Sequence, residues 1–278
     1  MKLSHFDIHS HMNFAAYDAD REETIARAQA AEVAMITVGT QIDTSRKAIA
    51  LAEGHEGMYA AIGLHPIHTS ASHHDENELG EGAKGFTSRG EVPDIEAYKV
   101  LAAHPKTVAI GECGLDYYHL DDDSRSAQVK VFETMIDVAN HSQKPLMLHI
   151  RNGSGKSAYA DAYEIVKSKA KVLGNLHFFA GSVEEAKPFL DLGFSFSFTG
   201  VVTFTHDYDE IVKYIPADRI MSETDCPYVT PKPYRGKRNE PAYVIEVVKS
   251  IARIRGVGEE AMAQQIASNA RSFFNMQE

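Results

Sequence analysis

The stretch VAMITVGTQIDTSRKAIALAEGHEGMYAAI, residues 33–62, carries the pattern that decides the fold. Its two short apolar runs, Val33–Val38 and Met58–Ile62, predict buried β-strands. The longer amphipathic segment Asp43–Glu53 lies between them and predicts a helix. The stretch therefore predicts a strand–helix–strand unit, which is the building block of parallel α/β sheets.

The same alternation continues in both directions along the chain, and eight apolar runs predict eight strands. The predicted strands are Lys2–Ile8, Val33–Val38, Met58–Ile62, Thr107–Gly111, Pro145–Leu148, Val172–Leu176, Phe194–Phe198 and Arg219–Ser222. Two further helices are predicted over Ser124–Asn140 and Ser182–Asp191. The second begins with a capping box, because Glu185 follows Ser182 by three residues.

Eight strands that alternate with helices in 278 residues favour a closed (β/α)8 barrel, the TIM barrel, over an open doubly wound sheet. No G-x-G-x-x-G motif follows a strand, so the dinucleotide-binding form of the open sheet lacks its signature. We predict a single domain over residues 1–278, with a long rim insertion after the third strand at residues 69–93. Two interpretations of this insertion, Thr69–Pro93, stay open: a disordered surface segment or a substrate lid.

Composition excludes several classes of protein. With 44% hydrophobic and 24% charged residues, the chain lies in the ordinary globular range. No run approaches 18 apolar residues and the start of the sequence lacks a signal-peptide core, so we expect a cytoplasmic protein without a membrane span. The two cysteines, Cys113 and Cys226, give no disulfide framework and fit a reducing compartment. The net charge of −11 argues against a broad electrostatic grip on duplex DNA.

Polar residues follow the predicted strands at the positions where a parallel barrel brings all its carboxyl ends to one rim. His9 and His11 end the first strand on the same side, since strand residues two apart share a face. Four other strand ends supply Glu112, His149, His177 and Asp225. Any one histidine alone would fit a core residue bonded to a carbonyl. Together, four imidazoles and two carboxylates predict divalent metal binding, and their number suits two ions of Zn²⁺, Mn²⁺, Fe²⁺ or Co²⁺ rather than Ca²⁺.

Other residues near these strand ends have two interpretations each. His65 either supports the ligands or a substrate phosphate, or anchors its loop. The basic residues form a phosphate cradle or an ordinary solvated loop; they are Arg151, Lys232, Arg235, Lys237 and Arg238. The aromatic residues stack a terminal base or pack the rim; they are Tyr117, Tyr118, Phe178 and Tyr228. Cys113 and Cys226 are expected to be packing residues, because neighbours on an extended segment point to opposite sides.

The motifs occur in an order that resembles the TatD family of metal-dependent deoxyribonucleases. They are Phe6-Asp7-Ile8-His9-Ser10-His11, Gly63-Leu64-His65-Pro66, Gly111-Glu112-Cys113-Gly114-Leu115-Asp116-Tyr117, His149-Ile150-Arg151, His177-Phe178-Phe179-Ala180-Gly181, Glu223-Thr224-Asp225-Cys226-Pro227-Tyr228 and Arg238-Asn239-Glu240-Pro241. The resemblance covers essentially the whole chain. It implies a TIM-barrel hydrolase of the amidohydrolase type that uses divalent metals and acts on DNA ends or related phosphodiesters.

Carried over residue by residue, the resemblance implies one metal ion at His9, His11 and Asp225 and a second at His149 and His177. Glu112 would bridge the two ions, which could be Mg²⁺, Mn²⁺ or Zn²⁺. The chain departs from the family pattern at Cys113, where an aliphatic residue is common, at Ala180, where a Ser is common, and at Asn152-Gly153, where an acidic residue often follows His-x-Arg. None of these departures removes a ligand.

The function expected from the sequence is a 3′-5′ exonuclease-type deoxyribonuclease, in which a water activated by two metals cleaves the phosphodiester. Asp225 and Glu112 are the expected catalytic residues, and the expected substrate-binding residues are His65, Tyr117, Arg151, Tyr228, Arg235 and Arg238. A hydrolase of another bond, such as an aminoacyl-tRNA ester, an amide or a small phosphoester, is the alternative. A barrel that only binds a partner is disfavoured, because a binding module has no need of two metal sites.

Overall fold

Eight parallel strands lie side by side in the order in which they occur in the chain. The computed structural model describes residues 4–74, 86–119 and 124–276. Within them the strands are β1 His5–Ser10, β2 Val33–Val38, β3 Met58–Ile62, β4 Ala71–His74, β5 Phe86–Arg89, β6 Thr107–Asp116, β7 Leu146–Arg151, β8 Gly174–Leu176, β9 Ser195–Phe198 and β10 Ile220–Ser222. The strands β4 and β5 form a separate antiparallel pair, and the other eight make the sheet.

The sheet closes on itself where β10 meets β1. The Ser222 hydroxyl donates to the Phe6 carbonyl at 2.9 Å, and beyond the strand the Asp225 N–H donates to the His9 carbonyl at 2.9 Å. A bridge between Ser10 and Cys226 continues this contact. The predicted (β/α)8 barrel of a single domain is therefore confirmed.

The helices pack around the barrel and alternate with its strands. They are α1 Arg21–Ala30, α2 Ile42–Gly54, α3 Ile95–Ala102, α4 Arg125–Ser142, α5 Ala158–Lys169, α6 Val183–Asp191, α7 Asp209–Tyr214, α8 Val244–Arg255 and α9 Glu259–Phe273. The predicted capping box is present in α6, where the Glu185 N–H donates to the Ser182 hydroxyl. Apolar side chains of strands and helices, such as Met35, Phe132 and Val247, are buried together in the largest core cluster.

Strand β6 is longer than predicted, and its length matters for the site. The sequence prediction ended this strand at Gly111, whereas β6 continues to Asp116 and, after a register shift that follows Ile110, pairs with β7 from Cys113 opposite Leu148 to Asp116 opposite Arg151. The glycines permit a close approach to β7. A Cβ on Gly111 would lie 2.3 Å from the Met147 carbonyl oxygen, and a Cβ on Gly114 would lie 2.0 Å from the His149 carbonyl oxygen. Glu112 is therefore a strand residue and not a loop residue.

The predicted insertion at residues 69–93 contains regular structure at both ends. Strands β4 and β5 pair in antiparallel register from Ala71 opposite Arg89 to His74 opposite Phe86. The stretch between them, residues 75–85, lies outside the described residues. The two interpretations of the insertion, a lid or a disordered segment, concern this stretch. No helix in the described part of the chain is both long and apolar enough to cross a membrane.

Candidate metal centre

Buried polar side chains concentrate at the carboxyl ends of the barrel strands. Buried or largely buried there are His9, His11, His65, Glu112, Asp116, His149, His177, Glu223 and Asp225. Three sets of them place one nitrogen or oxygen each close enough to surround a cation: His9 with His11 and Asp225, His9 with His177 and Glu223, and His65 with Glu112 and His149. The six predicted ligands are thus brought together, and His65 lies among them.

Glu112 lies at the centre of the group. Its Oε1 is 2.9 Å from His149 Nδ1, 3.2 Å from His65 Nε2 and 3.3 Å from His177 Nε2. Its Oε2 is 3.4 Å from His9 Nε2. Burial alone would raise the pKa of Glu112, but the surrounding imidazoles hold that pKa well below its ordinary value. The carboxylate is therefore ionised, and each of its oxygens faces different imidazoles.

His9, His11 and Asp225 form the first donor set. The Nε2 atoms of His9 and His11 are 3.3 Å apart. Asp225 Oδ1 lies 3.4 Å from His11 Nε2 and 3.8 Å from His9 Nε2. His11 Nδ1 donates to the Val38 carbonyl at 3.0 Å, which leaves a lone pair on its Nε2. Electron-rich atoms at these distances repel one another unless a cation or a proton lies between them. This donor set fits a divalent cation with imidazole and carboxylate ligands.

His177 is prepared as a ligand by a buried carboxylate. Glu223 Oε1 lies 3.1 Å from His177 Nδ1 and also accepts the Phe178 N–H at 2.6 Å. The Ser197 hydroxyl donates to Glu223 Oε2 at 2.8 Å, so both carboxylate oxygens are held in place. A carboxylate beside Nδ1 favours a proton there and directs the Nε2 lone pair to the centre, which is the usual support of a metal-binding histidine.

His149 lies between two carboxylates. Its Nδ1 is 2.9 Å from Glu112 Oε1 and its Nε2 is 2.9 Å from Asp116 Oδ2. Burial alone would lower the pKa of His149, but the hydrogen bonds to Asp116 and Glu112 raise it to about 9. Without a metal ion the ring is an imidazolium that bridges them. A cation on the Glu112 side would replace one of its protons, and Asp116 would hold the other.

Two carboxylates in this arrangement, Asp116 and Glu223, were not among the predicted site residues. Both carry a signal that period-two reasoning could have found, because alternate strand residues share a face. Asp116 follows Glu112 by four residues on β6, and Glu223 precedes Asp225 by two. Asp116 was missed because the predicted strand ended too early.

The predicted binding residues on the rim after β6 and β7 differ in exposure. Arg151 is exposed, and its guanidinium lies 4.4 Å from the centroid of the Tyr118 ring. The Tyr117 hydroxyl instead donates to Asp161 on α5 at 2.7 Å, so this side chain braces the helix layer. The Tyr228 ring lies edge-on to His11 at a centroid distance of 6.5 Å, beside the first donor set.

The predicted phosphate cradle separates into two kinds of residue. Arg235 is exposed, stacks 4.4 Å from the Phe204 ring centroid and donates to the Thr230 carbonyl at 3.1 Å. Arg238 binds the Asp20 carboxylate with two hydrogen bonds of 2.8 and 2.6 Å, so its guanidinium is engaged by α1 and its preceding loop. The basic side chains of this loop that the structure leaves exposed are Lys232, Arg235 and Lys237.

Both cysteines are free and buried. Burial is the largest effect on each thiol; it raises the pKa of Cys226 to about 12 and that of Cys113 still further. Neutral thiols are poor metal ligands, which agrees with the packing role predicted for both.

Comparisons with known proteins agree with the barrel fold and with a metal-dependent enzyme. A family model described as TatD related DNase matches residues 6–275. The uncharacterized metal-dependent hydrolase YabD of Bacillus subtilis is 38% identical over 276 residues, which cover 98% of this chain and 99% of the relative. A protein of Klebsiella pneumoniae described as the 3′-5′ ssDNA/RNA exonuclease TatD is 30% identical over 279 residues, covering 98% of each.

Among solved structures, the crystal structure of YJJV, a TatD homologue from Escherichia coli, matches with a TM-score of 0.82 and 24% identity and covers 100% of both chains. It supports the barrel fold. The sequence relatives and the family model extend over nearly the whole chain. The chain therefore belongs to the TatD family and is a metal-dependent hydrolase.

Proposed function

We propose that this hydrolase cleaves phosphodiester bonds at DNA ends as a 3′-5′ exonuclease-type enzyme with two divalent metal ions. The observation that carries the proposal is the position of Glu112, whose two carboxylate oxygens face different imidazole groups. The relative from Klebsiella described as an exonuclease supports the same reaction.

The first ion would be held by His9, His11 and Asp225, and the second by His149 and His177. Glu112 would lie between them. When bound, such ions lower the pKa of water and neutralise charge on phosphoryl oxygens. Their identity stays open among Mg²⁺, Mn²⁺ and Zn²⁺, because mixed nitrogen and oxygen sites accept all three.

Asp225 is the carboxylate best placed to orient the attacking water. Its side chain is 13% exposed, against 5% for Glu112 and 0% for Asp116 and Glu223. Burial alone would raise the pKa of Asp225, but the neighbouring imidazoles, that of His11 above all, lower it below its ordinary value. Asp225 is thus an ionised acceptor at the solvent side, and it can hold a water proton there.

His65 would serve as a hydrogen-bond donor and not as a ligand. Its Nδ1 accepts the Ile67 N–H at 3.1 Å, so the proton of the neutral ring lies on Nε2, which faces Glu112. The ring is neutral, because burial, opposed in part by Glu112, lowers its pKa to about 4. This donor could hold Glu112 or a substrate phosphate oxygen.

The proposal is tested with single-stranded DNA labelled at either end. Protein stripped by a chelator is assayed without metal and after addition of Mg²⁺, Mn²⁺ or Zn²⁺, beside Glu112→Gln and the exposed surface control Glu96→Gln. We expect metal-restored shortening from the 3′ end, lost in Glu112→Gln and kept in Glu96→Gln.

Metal bound in elemental analysis without shortening of either strand would contradict the nuclease function. The same proteins would then be assayed on aminoacyl esters, amides and small phosphoesters. Absence of bound metal in the wild-type protein would contradict the two-metal centre itself.

A further inference from the structure

The rim beside His149 carries an exposed aromatic ring that is covered on one side by a cation. Tyr118 is 62% exposed, which makes it one of the few large exposed apolar side chains among the described residues. The guanidinium of Arg151 lies 4.4 Å from its ring centroid. A guanidinium at this distance makes a cation–π contact with the ring. The His119 ring lies nearly perpendicular to Tyr118 at a centroid distance of 4.9 Å, and the exposed remainder of the Tyr118 ring is open to a planar group.

The backbone segments that carry both side chains are held close to the candidate metal centre. Asp116 and Arg151 are register partners on β6 and β7, and the Tyr117 N–H donates to the Arg151 carbonyl at 2.9 Å. The Tyr118 N–H donates to Asp116 Oδ1 at 2.9 Å, while Oδ2 of the same carboxylate contacts His149. One buried carboxylate therefore holds the ring-bearing segment and a predicted ligand together.

The charge of Arg151 is available to an anion. Among the described residues it forms no ion pair with a carboxylate, in contrast to Arg238, which binds Asp20. In a chain of net charge −11, this guanidinium gives a local positive charge beside the site, to which a phosphate group can bind. The second arginine–aromatic pair is different, because Phe204 is half-buried and Arg235 also donates to a backbone carbonyl.

We propose that Tyr118 and Arg151 form a nucleotide-binding platform, in which a base adjacent to the scissile phosphate stacks on the Tyr118 ring and the Arg151 guanidinium contacts the neighbouring phosphate. The inference rests on the proposed nuclease function and adds the subsite that positions its substrate. A planar base and a phosphate are the two parts of a nucleotide, and this pair offers one partner to each.

The platform is tested with metal-loaded protein on single-stranded oligonucleotides, intact or with one abasic residue at the terminal or penultimate position. Tyr118→Ala is expected to raise KM about tenfold on the intact strand with little change in kcat, because stacking on one aromatic residue has an effect of this order. The increase should disappear on the strand that lacks the stacked base. Tyr118→Phe should restore the KM on the intact strand.

The matched control is Tyr214→Ala. Tyr214 is also exposed, at 42%, and lies 5.9 Å from a lysine ammonium, but it belongs to the helix layer. Arg151→Gln should raise KM on intact and abasic strands alike and weaken the salt dependence of binding, since it removes a phosphate contact.

Fluorescence anisotropy of labelled strands in chelator measures binding without cleavage. An equal loss of affinity in Tyr118→Ala for intact and abasic strands, or no loss at all, would overturn the platform. Failure of the wild-type protein to cleave any strand would instead contradict the proposed function, and the binding comparison would still decide the role of Tyr118.

Discussion

Two histidines that follow different strands of the barrel approach the same oxygen and are prepared for different roles. His65, after β3, and His177, after β8, place Nε2 at 3.2 and 3.3 Å from Glu112 Oε1. The environments of their Nδ1 atoms are opposite: an N–H of Ile67 in one case and a carboxylate of Glu223 in the other. The group that contacts Nδ1 therefore decides whether Nε2 offers a proton or a lone pair to Glu112.

The proton affinities of the two rings follow the same difference. Burial lowers the pKa of His65 to about 4. Burial also opposes a proton on His177, but the charges of Glu223 and Glu112 raise the pKa of this ring well above its ordinary value. Proximity to Glu112 alone would have assigned both residues the same role.

The largest expected effect is the loss of His177. His177→Gln removes the imidazole lone pair that faces Glu112, so we expect metal affinity to fall more than about 100-fold, beyond the range for outer partners of a ligand. Turnover should fall with it. Isothermal titration with the metal measures this loss. Wild-type affinity in His177→Gln would contradict its assignment as a ligand.

A smaller effect is expected from Glu223→Gln, which keeps the size of the side chain and removes its charge. The amide can present its NH₂ to His177 Nδ1 and so favour the wrong tautomer. We expect a 10- to 100-fold loss of metal affinity with the fold intact, as for other carboxylates that support metal-binding histidines. The comparison needs circular dichroism spectra that match the wild type. Unchanged affinity would show that Glu223 has no influence on the ring.

The sequence predicted the barrel because the alternation of strands and helices depends on local patterns, and it placed His9, His11 and His177 correctly at strand ends. It could not assign the tautomers of His11 and His177, since these depend on residues distant in the chain, whereas the tautomer of His65 depends on the N–H of Ile67, two positions later. The carboxylate that supports His177 lies 46 positions later, and the carbonyl that orients His11 belongs to Val38. Arg238 illustrates the same limit: its partner Asp20 lies 218 positions earlier.

A weaker effect is expected at His65, where the comparison predicts that metal binding persists. His65→Gln keeps an N–H donor toward Glu112, and the loss of an optimal hydrogen bond changes rates by about tenfold or less. His65→Leu, which removes the donor, should reduce turnover further. Elemental analysis should give the same metal content for both variants as for the wild type. Loss of metal from His65→Gln would show that His65 is a ligand and would remove its contrast with His177.

The smallest effect on metal binding is expected from modification of the thiols. This modification tests whether a cysteine next to a predicted ligand in the sequence also binds metal. Cys226 follows Asp225 directly, yet burial raises the pKa of its thiol to about 12, so at pH 8 the folded protein should react slowly with a thiol reagent and keep its metal. Because the folded pKa lies above the ordinary value of 9.0, the associated stability is present below pH 9 and is lost as the pH rises toward 12. Protein unfolded in guanidinium provides the control, in which both thiols should react at the rate of a free cysteine. Rapid labelling of the folded protein at pH 8, with release of metal, would place a thiolate at the site and contradict a centre built only from imidazoles and carboxylates.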